Sequence, residues 1–192
     1  HDIRFWSKTF TRAQATVAKD KTLTGSETNL LGYWTLDEGH GKVGIDKAKS
    51  RNAIVNLGWD IKPKGTGYTF ANESYLKLGP IPGNDNQPLT FVQPSIAEDI
   101  TLSFWIKTSA PTGTIFSNGK GNSEDPLQTT NGFRNKWSVY IDSGKLKLIS
   151  EDIIYNLTTQ SIADGSWHHV ALVVKRRGSI NTYVDALETS SV

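Results

Sequence analysis

The amino-acid sequence predicts an all-β sandwich preceded by one short helix, and three observations carry that prediction. First, residues 167 to 185 read as a hairpin. Trp167 to Val174 is an aromatic and β-branched run, Arg176-Arg177-Gly178-Ser179 is a polar turn, and Ile180, Thr182 and Val184 then alternate with Asn181 and Tyr183. Second, short strand-like runs succeed one another from Leu30 onward, with turn signals between them and no helical periodicity. Third, all seven prolines lie between Pro63 and Pro126, mostly between these runs, where a missing N–H breaks no ladder.

Taken in order, Asp2 to Lys8 reads as a strand. Thr11 and Gln14 have the spacing of a capping box, with a hydroxyl at the N-cap and an amide three residues on. Ala13, Val17 and Ala18 give the following helix one narrow apolar stripe, and Gly25 is its expected stop signal. Further strands are expected at 31–36, 52–59, 68–70, 75–78, 100–108, 114–118, 136–141, 145–150, 153–158, 167–175 and 180–185. Asp142-Ser143-Gly144 is a tight hairpin signal. Segments 79–94 and 118–135 are long for hairpin loops, and loops of that length are where a sandwich places function or mobility. Trp34, Phe104, Trp105, Trp137 and Trp167 fall within strand runs and are expected in the core.

A chain of 192 residues can bury a sizeable core, and six Trp, six Tyr and seven Phe offset a modest 36% hydrophobic content. Lys and Arg number 21 against 19 Asp and Glu, and the charges are dispersed. That balance gives no footprint for nucleic acid or an anionic membrane. The longest strictly apolar run, Val170 to Val174, is far short of a membrane span. Cysteine is absent, which excludes disulfides, thiolate metal sites and a cysteine nucleophile. Such a composition suits a bacterial extracellular domain whose core needs no staples. Methionine is absent too, even at the first position, as expected of an internal piece of a longer protein.

Several blocks resemble one family. Gly165-Ser166-Trp167-His168-His169-Val170-Ala171, followed by Tyr183-Val184-Asp185, is similar to a block of laminin-G-like domains, members of the concanavalin A-like lectin/glucanase superfamily. The stretch from Leu31 to Gly41 resembles the opening strand of that family, Thr101 to Lys107 a central strand, and Gly113 to Ser117 the strand after it. Asp46 with Ser50, Arg51 and Asn52 resembles the loop that follows the opening strand, without its usual glycine. The resemblance implies a two-sheet antiparallel jelly-roll sandwich over residues 30–192. Residues 1–29 resemble the end of a preceding repeat: Asp2 to Thr11 is similar to the block with which a family domain closes. The chain's own end departs from the pattern, with Ala186 for the usual glycine and no recognisable closing strands. Ile3 to Ser7 is therefore expected to be hydrogen-bonded into a sheet edge.

Glucanases on this fold need paired carboxylates on one face of a strand. Asp37-Glu38, Glu124-Asp125 and Glu151-Asp152 are adjacent instead, so strand geometry would send each pair to opposite faces, and no catalytic residue is assigned. His168 and His169 face opposite sides for the same reason and cannot share one metal ion. His169 is expected to share a face with Trp167, Ala171 and Val173 and to be packed and hydrogen-bonded there. The family's oxygen-rich Ca²⁺ sites imply Asp46 and Asn52 as candidate calcium ligands. The ordinary alternative is an aspartate that bonds the amides of its own turn. A sugar platform needs an exposed aromatic face beside polar groups, and Trp59, Tyr155 and Asn156 are the candidates.

These observations imply a non-catalytic extracellular or cell-surface module that binds a glycan or a cell-surface protein in an adhesive role. It would belong to a larger, repeat-bearing polypeptide, with neighbouring domains as further partners, no nucleic-acid ligand and no membrane insertion. A structural spacer without ligand is the alternative reading, and a glycoside hydrolase the third.

Overall fold

A computed structural model of the chain describes residues 2–38, 43–56, 75–77, 99–117, 137–150, 153–175 and 178–192. In chain order the elements are β1 (Ile3–Trp6), α1 (Arg12–Asp20), β2 (Leu30–Trp34), β3 (Val43–Gly44), β4 (Ala53–Asn56), β5 (Tyr75–Lys77) and β6 (Ile100–Lys107). They continue as β7 (Gly113–Ser117), β8 (Trp137–Asp142), β9 (Lys145–Ser150), β10 (Ile153–Asn156), β11 (Trp167–Val174), β12 (Ile180–Val184) and β13 (Leu187–Ser191). A six-stranded sheet has the order β13-β12-β11-β6-β1-β2, a four-stranded sheet the order β10-β9-β8-β7, and β3-β4-β5 form a small third sheet. Every pairing among the described residues is antiparallel.

Alternation along the six-stranded sheet divides its residues between two cores. Ile3, Phe5, Leu102, Phe104, Val170, Leu172 and Val174 face the four-stranded sheet and pack with its Trp137, Val139, Ile141, Leu146 and Leu148. On the reverse face Trp6, Tyr33, Ala171, Val173 and Tyr183 meet Ala15 and Ala18 of α1, with Phe10 and Leu23 closing the cluster. Because both faces of β11 are covered from Val170 to Val174, that stretch is apolar without a break. The sandwich expected from the pattern is thus present, with a helix laid over one outer face.

Thr11 starts α1 as its spacing implies. The Thr11 hydroxyl accepts the Gln14 N–H at 3.2 Å, and the Gln14 side-chain oxygen accepts the Thr11 N–H at 2.9 Å. At the other end the helix stops at Asp20, short of Gly25. A side chain from β1 satisfies its last turn: the guanidinium of Arg4, only 4% exposed, donates to the Ala18 carbonyl and, at 2.8 Å, to the Lys21 carbonyl. Its Nε also donates to Asp2 at 2.9 Å. Gly25 has another task. With φ +93° it passes so close to Lys47 that a Cβ would lie 2.1 Å from that carbonyl oxygen.

Several expectations need correction. Trp167 is not in the core but 38% exposed, because it is the first residue of β11 and extends past the packed layers. Trp105 is only half-buried. Ile3–Trp6 is not at an edge; it lies inside the six-stranded sheet, paired with both β2 and β6. The strand expected at 31–36 ends at Trp34, since Leu36 turns out with φ +55°. The strand expected at 153–158 ends at Asn156, where Leu157 and Thr158 turn inward and the Thr158 hydroxyl accepts the Leu146 N–H at 3.0 Å. An unexpected strand, β13, follows Ala186 and pairs with β12. The strand expected at 68–70, residues 57–59, and the long segments 79–94 and 118–135 lie outside the described residues.

Candidate functional site

Asp46 and Asn52 do come together, but around amides. The Asp46 carboxylate is buried, and one oxygen accepts the N–H groups of Tyr33 and Ala48 at 2.9 Å each. The other accepts those of Lys49 and Arg51 at 3.2 Å each. Asn52 Oδ1 in turn accepts the Asp46 N–H at 3.2 Å. Four inward-pointing N–H dipoles make this a cradle for a negative charge, and a cation would meet them head-on. What the arrangement accomplishes is the turn itself: it locks the loop after β3 against β2, where Trp34 and Asp46 form an isolated bridge.

Tyr155 and Asn156 lie on β10, an outer strand of the four-stranded sheet among the described residues. The Tyr155 ring is half-buried against the inter-sheet core, and Asn156 is exposed. The Asn156 carbonyl accepts the Ser190 hydroxyl at 2.9 Å, and the Leu157 carbonyl accepts the Thr189 hydroxyl at 3.0 Å. This is where the two sheets are stitched together, with β13 closing over the end of β10. Trp59, the third residue of the predicted platform, lies outside the described residues.

A different grouping forms where β11 begins. Trp167 stands opposite Lys107 of β6, and His168, the next residue, is turned to the other face of the strand. The His168 ring is gripped from both sides, with Nδ1 2.8 Å from Asp185 Oδ2 and Nε2 3.1 Å from Asp164 Oδ1. Asp185 leads the β12–β13 turn and also bonds the strand beside it. Its Oδ1 accepts the His169 N–H, and its own N–H donates to the His169 carbonyl, both at 2.9 Å. Asp164 lies in the connection from β10, and Oδ1 accepts the Ser166 N–H at 2.7 Å. Burial pulls the His168 pKa down, but the bonds to Asp185 and Asp164 outweigh it and raise the value above that of an ordinary imidazole. The Ser166 amide first, and then His168, hold Asp164 below the ordinary carboxylate range.

His169 points the other way. It is 3% exposed on the helix-covered face, its ring against that of Trp105 with centroids 5.3 Å apart. Burial, reinforced by the Arg4 charge, lowers its pKa to about 4, so it is neutral near pH 7. The two histidines do face opposite sides, as strand alternation implies. What alternation alone missed is that carboxylates reach His168 from a loop and a turn. Part of that was available in the sequence. A hairpin that pairs Val174 with Ile180 and Val170 with Val184 must set His169 opposite Asp185.

Of the adjacent carboxylate pairs, Glu124-Asp125 and Glu151-Asp152 lie outside the described residues, and Asp37-Glu38 serves locally. Asp37 accepts the Thr35 hydroxyl at 2.6 Å, which lowers its pKa, and Glu38 accepts the Ile45 N–H at 2.7 Å. No group of three or more His, Asp or Glu side chains is set to hold a metal among the described residues. Compared with known families, residues 82–192 match a laminin-G model described as the concanavalin A-like lectin/glucanases superfamily. No curated protein matches the chain.

Proposed function

This chain belongs to the concanavalin A-like lectin/glucanase superfamily, and we propose that within it the chain is a non-catalytic module binding a glycan or a cell-surface protein. Laminin-G-like domains are commonly binding modules and typically extracellular, so in this reading the protein works outside the cell, beside other domains of a longer polypeptide. The supporting observation is Trp167. An indole 38% exposed at the first residue of β11, paired with Lys107 of β6, offers a stacking face with a polar neighbour to orient hydroxyls. Tyr155 and Asn156 are a second, smaller surface of the same kind. Asp46 acts here as a turn-forming residue, and no calcium is required.

The non-catalytic reading draws on the carboxylates. A glycosidase needs one carboxyl whose pKa is raised so that it can serve as the acid. Hydrogen bonds instead hold the carboxyls of Glu27, Asp37, Asp142 and Asp164 below the ordinary carboxylate range. The test is a glycan array probed with the wild-type chain and with Trp167→Ala. Binding to a defined set of glycans, weakened at least tenfold in Trp167→Ala, is the expected result. Binding undiminished in that variant would remove the platform. A blank array, together with no binding to cell surfaces, would favour a spacer instead.

A further inference from the structure

We propose that Asp164, His168 and Asp185 form a pH-operated clamp, tying the β10–β11 connection to the β12–β13 turn while the imidazole carries a proton and freeing the connection when it does not. The geometry carries this. Both ring nitrogens face carboxylate oxygens, at 2.8 Å and 3.1 Å. A neutral imidazole has one N–H, so it can donate to one of these acceptors and must turn a lone pair toward the other. Only the imidazolium donates to both. The ring is 15% exposed, which limits screening by water, whereas Asp164 and Asp185 are 52% and 40% exposed and have room to leave.

The two arms are not equally held. Asp185 stays in place through its two bonds to the His169 backbone of β11, whereas Asp164, besides its contact with His168, bonds Ser166 of its own loop. Deprotonation therefore leaves the N–H on Nδ1 with Asp185 and expels Asp164. Movement is local. Gly165 N–H remains bonded to the Thr108 carbonyl, and Ile162 N–H to that of Gly144, so the released stretch lies between those anchors. Other charged or titratable groups belong to the described elements around β11. His169 of β11 is turned to the opposite face, Lys107 of β6 stands across from Trp167, Arg12 of α1 bonds the Ala186 carbonyl, and Glu188 of β13 accepts the Asn181 side-chain amide. None of these makes a hydrogen bond to the ring in place of the two aspartates.

The sign follows from the shifts. A raised histidine contributes stability that is complete below its ordinary value of about 6.5 and is lost as pH rises through the raised value. Asp164, lowered, contributes stability above the ordinary carboxylate range that is lost as pH falls through its lowered value. The clamp is closed between those limits. It requires no ligand and stands whether or not Trp167 binds one.

The test is a long-range ¹H–¹⁵N titration of the full ¹⁵N-labelled chain from about pH 5 to 9, with His168→Gln to assign the signal and Asp164→Asn to break one arm. Melting temperatures are followed in parallel. The expected result is a His168 midpoint above about 6.5, with both nitrogens protonated below it, and a lower midpoint in Asp164→Asn. The wild type should also melt higher than Asp164→Asn near pH 6, by a margin that closes near pH 9. A wild-type midpoint at or below about 6.5, or a melting-temperature gap unchanged at pH 9, would overturn the clamp. Should Asp164→Asn fail to fold, the wild-type titration decides alone.

Discussion

Ala186 occupies a backbone position that suits glycine. Asp185 and Ala186 have φ +50° and +69°, the left-handed pair of a tight hairpin turn, and the β8–β9 turn uses Ser143 and Gly144 in the same way, with φ +52° and +78°. Aspartate tolerates this region; alanine pays in contact between its Cβ and the carbonyl oxygen. Ala186→Gly is therefore expected to stabilise the fold by about 0.5–1 kcal/mol, once the greater freedom of glycine in the unfolded chain is subtracted. Urea denaturation measures it. The Arg12 bond to the Ala186 carbonyl uses backbone and survives the change. A loss of stability would mean that the turn does not need a left-handed residue there. Single residues also show where sequence alone falls short. Asp46 and Asn52 were legible as a loop pair, but whether a carboxylate meets a cation or amides depends on which way nearby N–H groups point. Trp167 belongs to an apolar run, and only the end of the packed layer decides that it is left exposed.

At the scale of elements, strand periodicity located most of the described sheet because covered strands must be apolar. It missed β13 for a matching reason. Leu187 is 61% exposed and Glu188-Thr189-Ser190-Ser191 is polar, so this outer strand buries too little to leave a hydrophobic signature. The position of β1 was hidden differently. Its pairing of Ile3 with Phe104 spans about a hundred residues, and no local pattern encodes such a register. Arg4 joins this strand to α1. It is a buried cation at the carbonyl end of the helix, where the charge suits the helix dipole. Arg4→Met should leave the Ala18 and Lys21 carbonyls without their donor and Asp2 without its ion pair. The expected cost is about 3 kcal/mol in chemical denaturation, with reduced helical circular dichroism before global unfolding. A loss below about 1 kcal/mol would mean that packing alone holds β1 and α1 together.

For the whole molecule, the adjacent histidines bend stability in opposite directions with pH. His169 is lowered to about 4, so the folded state refuses a proton that the unfolded chain accepts below about 6.5. Unfolding free energy should fall as pH drops through that interval, at a slope approaching 1.4 kcal/mol per unit, to a total of about 3 kcal/mol. Urea titrations across the range measure the slope, and His169→Phe should flatten it; an equal slope in the variant would assign the effect elsewhere. The rise of the His168 value acts oppositely above 6.5, which places the stability maximum between the two transitions. The six-stranded sheet has one more consequence, and it concerns load. Neighbouring strands are all antiparallel, and four steps separate β13 from β1, so those two strands run in the same direction. Tension entering at Ile3 and leaving at Ser191 therefore acts along the strands, dragging β1 one way and β13 the other. The ladder bonds between them carry that force side by side instead of parting one after another. Pulled through those two residues the sheet behaves as a lap joint, strong in shear, whereas the same strands pulled sideways would peel.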